Sequence, residues 1–166
     1  MGLTVPEDLP LLQELGKMGL LHGHLDYILR MMIKTLADLT VDEARDATEN
    51  ESSSGLRKRV LALARQRLKE GKPLLKLEAL IQRCWRASER RHVFLHAVWA
   101  QSWDKDHAEM LIRGNEWKAL PTTEEVRALN GEIAELVVDI NHARLQGFVH
   151  DALMKKQSHV RDAPKE

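Results

Sequence analysis

Leu12, Leu15, Met18, Leu21, Leu25, Ile28, Leu29, Met32, Ile33 and Leu36 recur at spacings of three and four, which predicts an amphipathic helix from about residue 9 to 38. Gly16, Gly19 and Gly23 sit on its first half; as weak helix formers they point to close approach of another helix or to a soft segment. Thr40-Val41-Asp42-Glu43 has the form of a capping box, hydroxyl and carboxylate each satisfying a free backbone N–H, and opens a short helix to about Thr48. After the polar loop from Glu49 to Gly55, the stripe Leu56, Val60, Leu61, Leu63, Ala64 and Leu68 predicts a third helix, basic outside and stopped by Gly71 and Pro73.

From Leu74 the pattern Leu77, Leu80, Ile81, Cys84, Val93 or Phe94, Ala97 and Val98 carries a helix to about Gln101. The period then fails between Trp103 and Pro121. Alternation over 107–112 and again from Trp117 to Leu120 fits a small β-hairpin turning at Gly114-Asn115. A second capping box, Thr122-Thr123-Glu124-Glu125, launches a last helix through Val126, Leu129, Ile133, Leu136, Val137, Ile140, Arg144 and Phe148 to about Lys156. The fold class is therefore all-α: a mostly antiparallel bundle of about five helices, with the hairpin between the last two long ones. Residues 1–156 make one domain and 157–166 a polar, frayed tail.

Composition supports this picture. The 166 residues suffice for one core, and 43% are apolar with few aromatics, so the interior is mainly Leu, Ile, Val, Ala and Met, which favours helices. The 25 basic and 25 acidic residues cancel, which excludes a protein that coats nucleic acid by net charge. The single Cys84 excludes an internal disulfide and multi-cysteine zinc motifs, and reads as a small buried apolar residue. With no apolar run long enough to span a bilayer and no basic-then-apolar leader, no membrane association and a cytoplasmic location are expected. No glycine-rich phosphate loop follows a strand, so no cofactor is expected either.

Candidate chemistry gathers on the fourth helix. Arg91, His92 and His96 combine a guanidinium, able to hold phosphate by paired hydrogen bonds, with imidazoles that exchange protons near neutrality. On an ideal helix His92 and His96 share a face, whereas Arg91 and His96 are roughly 140° apart, so part of the group must face a groove or a second subunit. Arg83, Arg86 and Arg90 add a local cationic strip able to hold a polyanion, or else a solvated face whose stems cover apolar surface. Trp99, Trp103 and Trp117 are candidates for base stacking or for packing of the irregular segment.

His22 and Asp26 form an i, i+4 pair with His24 nearby, but His24 points elsewhere and two ligands do not make a site; no metal is expected. His142 and His150 read as polar flank, and Asn50-Glu51-Ser52, a glycosylation triplet, carries no meaning in a cytosolic chain.

The order of elements, with Arg91, a polar His92, three further residues and His96 late on a long helix, resembles the HEPN superfamily of all-helical proteins. Its signature is an Arg, four to six residues and a His, with Asn, Asp or His commonly just after the Arg; His92 is such a variant. Relatives often carry Gly after the His, where this chain has Ala97. The resemblance implies a symmetric homodimer with facing motif helices and, in many members, a metal-independent endoribonuclease. Some members are toxins or antiphage effectors, paired with a protein such as an antitoxin; others only bind nucleotides, RNA or proteins. Arg91, His92 and His96 would then be catalytic, and Arg83, Arg86, Arg90 and Trp99 would contact RNA.

Overall fold

The computed structural model describes residues 2–3, 7–101, 107–112 and 116–161. Among these the chain is mostly helical with a small antiparallel sheet. The elements run β1 (Gly2–Leu3), α1 (Leu9–Ala37), α2 (Val41–Asp46), α3 (Ser53–Leu68), α4 (Lys72–His96), β2 (Val98–Gln101), β3 (Ala108–Ile112), β4 (Glu116–Ala119), α5 (Thr123–Leu145) and α6 (Phe148–Arg161). No described helix is long and apolar enough to cross a membrane.

The helix starts follow directly from local chemistry. Asp8 accepts from the Leu11 N–H at 3.1 Å, and Pro10 falls in the first turn of α1, where its missing N–H costs nothing. Both capping boxes form: Glu43 N–H donates to Thr40 Oγ1 at 3.3 Å while Thr40 N–H donates to Glu43 Oε2 at 2.8 Å, and Glu125 and Thr122 repeat the exchange at 3.1 and 2.8 Å. α1 stops where Asp38 turns to φ 59° and the Leu39 N–H reaches back to the Lys34 carbonyl at 3.0 Å.

Three expectations are corrected. α4 ends at His96 rather than near Gln101, because Val98–Gln101 pair with β3 in the register Val98↔Leu111, Trp99↔Met110, Ala100↔Glu109 and Gln101↔Ala108. Val and Trp fit a pleated ladder better than a helix end, and the strand partners outweigh the helical period of Ala97 and Val98. The last helix is two, α5 and α6, divided at Gly147. A Cβ there would lie 3.0 Å from the Ala143 Cα and 3.1 Å from the His142 carbonyl, so the close backbone approach favours glycine. Finally, among the described residues nothing lies within 4 Å of a Cβ built at Gly16, Gly19 or Gly23, so no close helix contact is made there.

The hairpin strands are present, with β3 and β4 antiparallel through Leu111↔Trp117 and Ile112↔Glu116, whereas its expected turn, Gly114-Asn115, lies outside the described residues. The sheet is larger than a hairpin, ordered β1-β2-β3-β4.

The chain divides into two compact units, Met1–His22 with Arg86–Ala134, and Gly23–Trp85 with Glu135–Glu166. The first contains the sheet and buries Leu11, Met18, Ala87, Ala100, Met110, Val126, Leu129 and Ile133. There Asn130, 1% exposed, donates its amide hydrogens to the Glu14 carbonyl at 2.9 Å and the Glu14 carboxylate at 2.7 Å, tying α5 to α1. That hydrogen bond, reinforced by Arg127 and Lys17 against the opposing cost of burial, holds the Glu14 carboxyl below its ordinary value. The second unit has the larger apolar interior, including Leu25, Leu29, Met32, Ile33, Leu36, Leu56, Val60, Leu77, Leu136 and Ile140. Each such side chain contributes about 1.5–3 kcal/mol on burial. Cys84 is buried within this unit.

Candidate functional site

The last two turns of α4 carry the motif residues. Arg91 Nη1 lies 3.4 Å from His96 Nε2, so a guanidinium N–H can donate to the imidazole when that nitrogen carries its lone pair. The His92 and His96 rings are 4.8 Å apart between centroids and tilted by 43°. His92 and His96 are exposed and Arg91 is half-buried. The structure therefore brings all three together in one chain. The roughly 140° between Arg91 and His96 on an ideal helix is closed by the length of the arginine side chain at the helix end.

Glu89, His92, Val93 and His96 recur at intervals of three and four and share one face of α4. Together with Ala97 and with Leu111 and Ile112 of β3 they line a groove of about 150 Å³. Glu89 and the strand residues were not singled out by sequence reasoning. The helical spacing from Glu89 to His92 was a usable signal for the former; nothing local places β3 opposite this face.

The cationic strip is divided by its ion pairs. Arg90 pairs with Glu132 at 3.0 Å, and Arg83 with Asp139 at 3.0 Å and Glu135 at 3.8 Å, so carboxylates of α5 occupy both guanidinium groups. Arg86 is exposed. Trp99 is half-buried on β2 opposite Met110, Trp117 is half-buried on β4 opposite Leu111, and Trp103 lies outside the described residues.

The histidine cluster of α1 is dispersed. His22 is buried with Nε2 3.4 Å from Ser88 Oγ, His24 is exposed, and Asp26 accepts from Ser53 Oγ at 2.7 Å. His142 lines a separate groove of about 390 Å³ with Lys76, Leu80, Arg83 and Phe148, while His150 Nδ1 is 3.3 Å from Asp151 Oδ1. Among the described residues no three His, Cys, Asp or Glu side chains converge as metal ligands.

Compared with family models, with curated proteins and with solved structures, the chain matches none. An exposed imidazole pair able to move protons and an adjacent guanidinium able to stabilise negative charge suit phosphodiester chemistry.

Proposed function

We propose that this chain is a HEPN-like, metal-independent endoribonuclease of the cytoplasm that acts as a homodimer, with Arg91, His92 and His96 as its catalytic group. The observation that carries this reading is the exposed Arg91–His96 contact at 3.4 Å beside the His92 ring. His96 takes the proton from a ribose 2′-hydroxyl, and the 2′-oxygen attacks the adjacent phosphorus. The bond from phosphorus to the 5′-oxygen breaks, and a protonated imidazole, that of His96 in the second copy, returns a proton to the leaving oxygen. The products are a 2′,3′-cyclic phosphate and a 5′-hydroxyl. Arg91 donates to the non-bridging oxygens as their charge grows. In a toxin-like setting an antitoxin protein would cover this exposed end of α4.

Purified protein should cleave single-stranded RNA in EDTA and leave 2′,3′-cyclic phosphate ends. His96→Ala should abolish cleavage with the circular-dichroism spectrum and dimer intact; robust cleavage by that variant refutes the assignment.

A second reading, a non-catalytic helical dimer that binds RNA, a nucleotide or a protein partner, is supported by the balance of 25 basic and 25 acidic residues. It predicts binding without turnover in the same assay.

A further inference from the structure

The groove beside the imidazoles has a chemical polarity. Along one face of α4 run a carboxylate at Glu89, an imidazole at His92, an apolar side chain at Val93 and an imidazole at His96, with the Arg91 guanidinium at the His96 end. Glu89 and His96 are seven residues apart, about 10 Å along the helix. Opposite stand Leu111 and Ile112 of β3, both half-buried, and Val93 is 37% exposed, so the wall is apolar and partly open. At about 150 Å³ the space is well below the roughly 300–1,000 Å³ of a site that encloses a whole small molecule. It suits one planar ring with the rest of its chain in solvent.

A phosphate is repelled by Glu89 and drawn to Arg91, so a nucleotide lies one way only, phosphodiester at His96 and base toward Glu89. The His92 ring and the Leu111–Ile112 wall then meet the faces of the base. The exposed Glu89 carboxylate is available to its edge, because its sequence neighbour Arg90 is drawn instead to Glu132 at 3.0 Å. An ionised carboxylate only accepts hydrogen bonds, through two parallel oxygens. Among the four RNA bases guanine offers two adjacent donors on one edge, its ring N1–H and its exocyclic amine, whereas adenine and cytosine offer an amine beside an acceptor and uracil a single N–H between two carbonyls.

Resting on the ribonuclease reading for the position of the phosphate, we infer that the groove between α4 and β3 is a base-recognition subsite for guanine in single-stranded RNA, with Glu89 its specificity residue.

The test separates recognition from cleavage. Fluorescence anisotropy is measured on 2′-fluoro hexanucleotides of uridine carrying one central guanosine, inosine, adenosine, cytidine or uridine; the fluorine removes the attacking hydroxyl. A bidentate carboxylate pair, at about 1–3 kcal/mol, corresponds to tighter binding of guanosine than uridine by about fivefold or more, with inosine, lacking the amine, in between. Glu89→Gln should bring the five ligands to within about twofold of one another, while His96→Ala retains the preference. Equal affinities in the wild type, no detectable binding of the guanosine oligonucleotide, or a preference that survives Glu89→Gln would each overturn the inference. Guanosine preference in a protein that cleaves no RNA would overturn the ribonuclease reading and leave the base subsite standing. Cleavage without base preference would do the reverse.

Discussion

Arg91 Nη1 stands 3.4 Å from His96 Nε2 although the two residues leave α4 in directions roughly 140° apart. The helix ends at His96, with the Ala97 N–H making a last bond to the Val93 carbonyl at 3.2 Å, and the chain then departs as β2. The guanidinium can thus fold across the helix end onto the imidazole, placing a fixed positive fork beside a proton-exchanging ring.

On the ribonuclease reading, Arg91→Lys should lower kcat by about 10²-fold or more, because an ammonium keeps the charge and loses the planar fork that spans two phosphate oxygens. Rates on a single-stranded RNA, beside thermal melting to show an unchanged fold, measure this. Retention of wild-type kcat would remove Arg91 from the mechanism.

Gly16, Gly19 and Gly23 occupy helix interior with open space where a Cβ would go. Replacing any one with Ala should stabilise the chain by about 0.5–1 kcal/mol through lost freedom of the unfolded state. Urea unfolding of dilute protein measures the change. A loss of stability that grows with protein concentration would instead place this face of α1 against a second copy.

Gly147→Ala should act oppositely. The new methyl would press on the Ala143 Cα at 3.0 Å and the His142 carbonyl at 3.1 Å, both backbone atoms of α5 that cannot swing aside. Overpacking of this kind costs about 1–3 kcal/mol, visible as a lower urea midpoint.

Lys69, which caps α3, has φ 56° and ψ −152°, a region that costs a residue with a Cβ about 1–3 kcal/mol. Lys69→Gly removes that cost while adding about 0.4–1 kcal/mol of unfolded-chain entropy, so a net gain of about 1 kcal/mol is expected. A lower melting midpoint for the variant would contradict it.

Glu14 links stability to pH. Its carboxyl is held below the ordinary value, chiefly by the Asn130 amide, so the native state favours the ionised form more than the unfolded state does. That contribution is fully present above the unfolded value, near 4.5, and is lost as pH falls through the lower folded value. Stability measured from pH 6 downward should therefore fall less steeply below pH 4.5 in Glu14→Gln than in the wild type. Parallel curves would show that Glu14 carries none of the acid sensitivity.

Much of the fold was legible because its signals are local. The two capping boxes at Thr40–Glu43 and Thr122–Glu125 formed as their spacing requires, and α1 begins and ends within a residue of the expected bounds, 9 and 38. Where sequence reading failed, a distant partner overrode a local period: Val98–Gln101 continue the helical pattern of α4 yet pair with β3. At Gly147 a close backbone approach interrupts a stripe that otherwise runs on through Phe148.

The candidate site divides along the same line. Arg91, His92 and His96 stand out from residue type and spacing alone, since chemistry that moves protons beside phosphate needs those groups and a helix fixes their angles. Their convergence depends on where α4 stops and on the reach of a side chain, and the groove depends on Leu111 and Ile112 arriving from the sheet. By itself the sequence determined the helices, their caps and the identity of the reactive groups, because these rest on contacts within a few residues. Only tertiary structure decided which cations α5 pairs, which face of α4 gains a wall and which glycines stand in open space, because those outcomes rest on segments tens of residues apart.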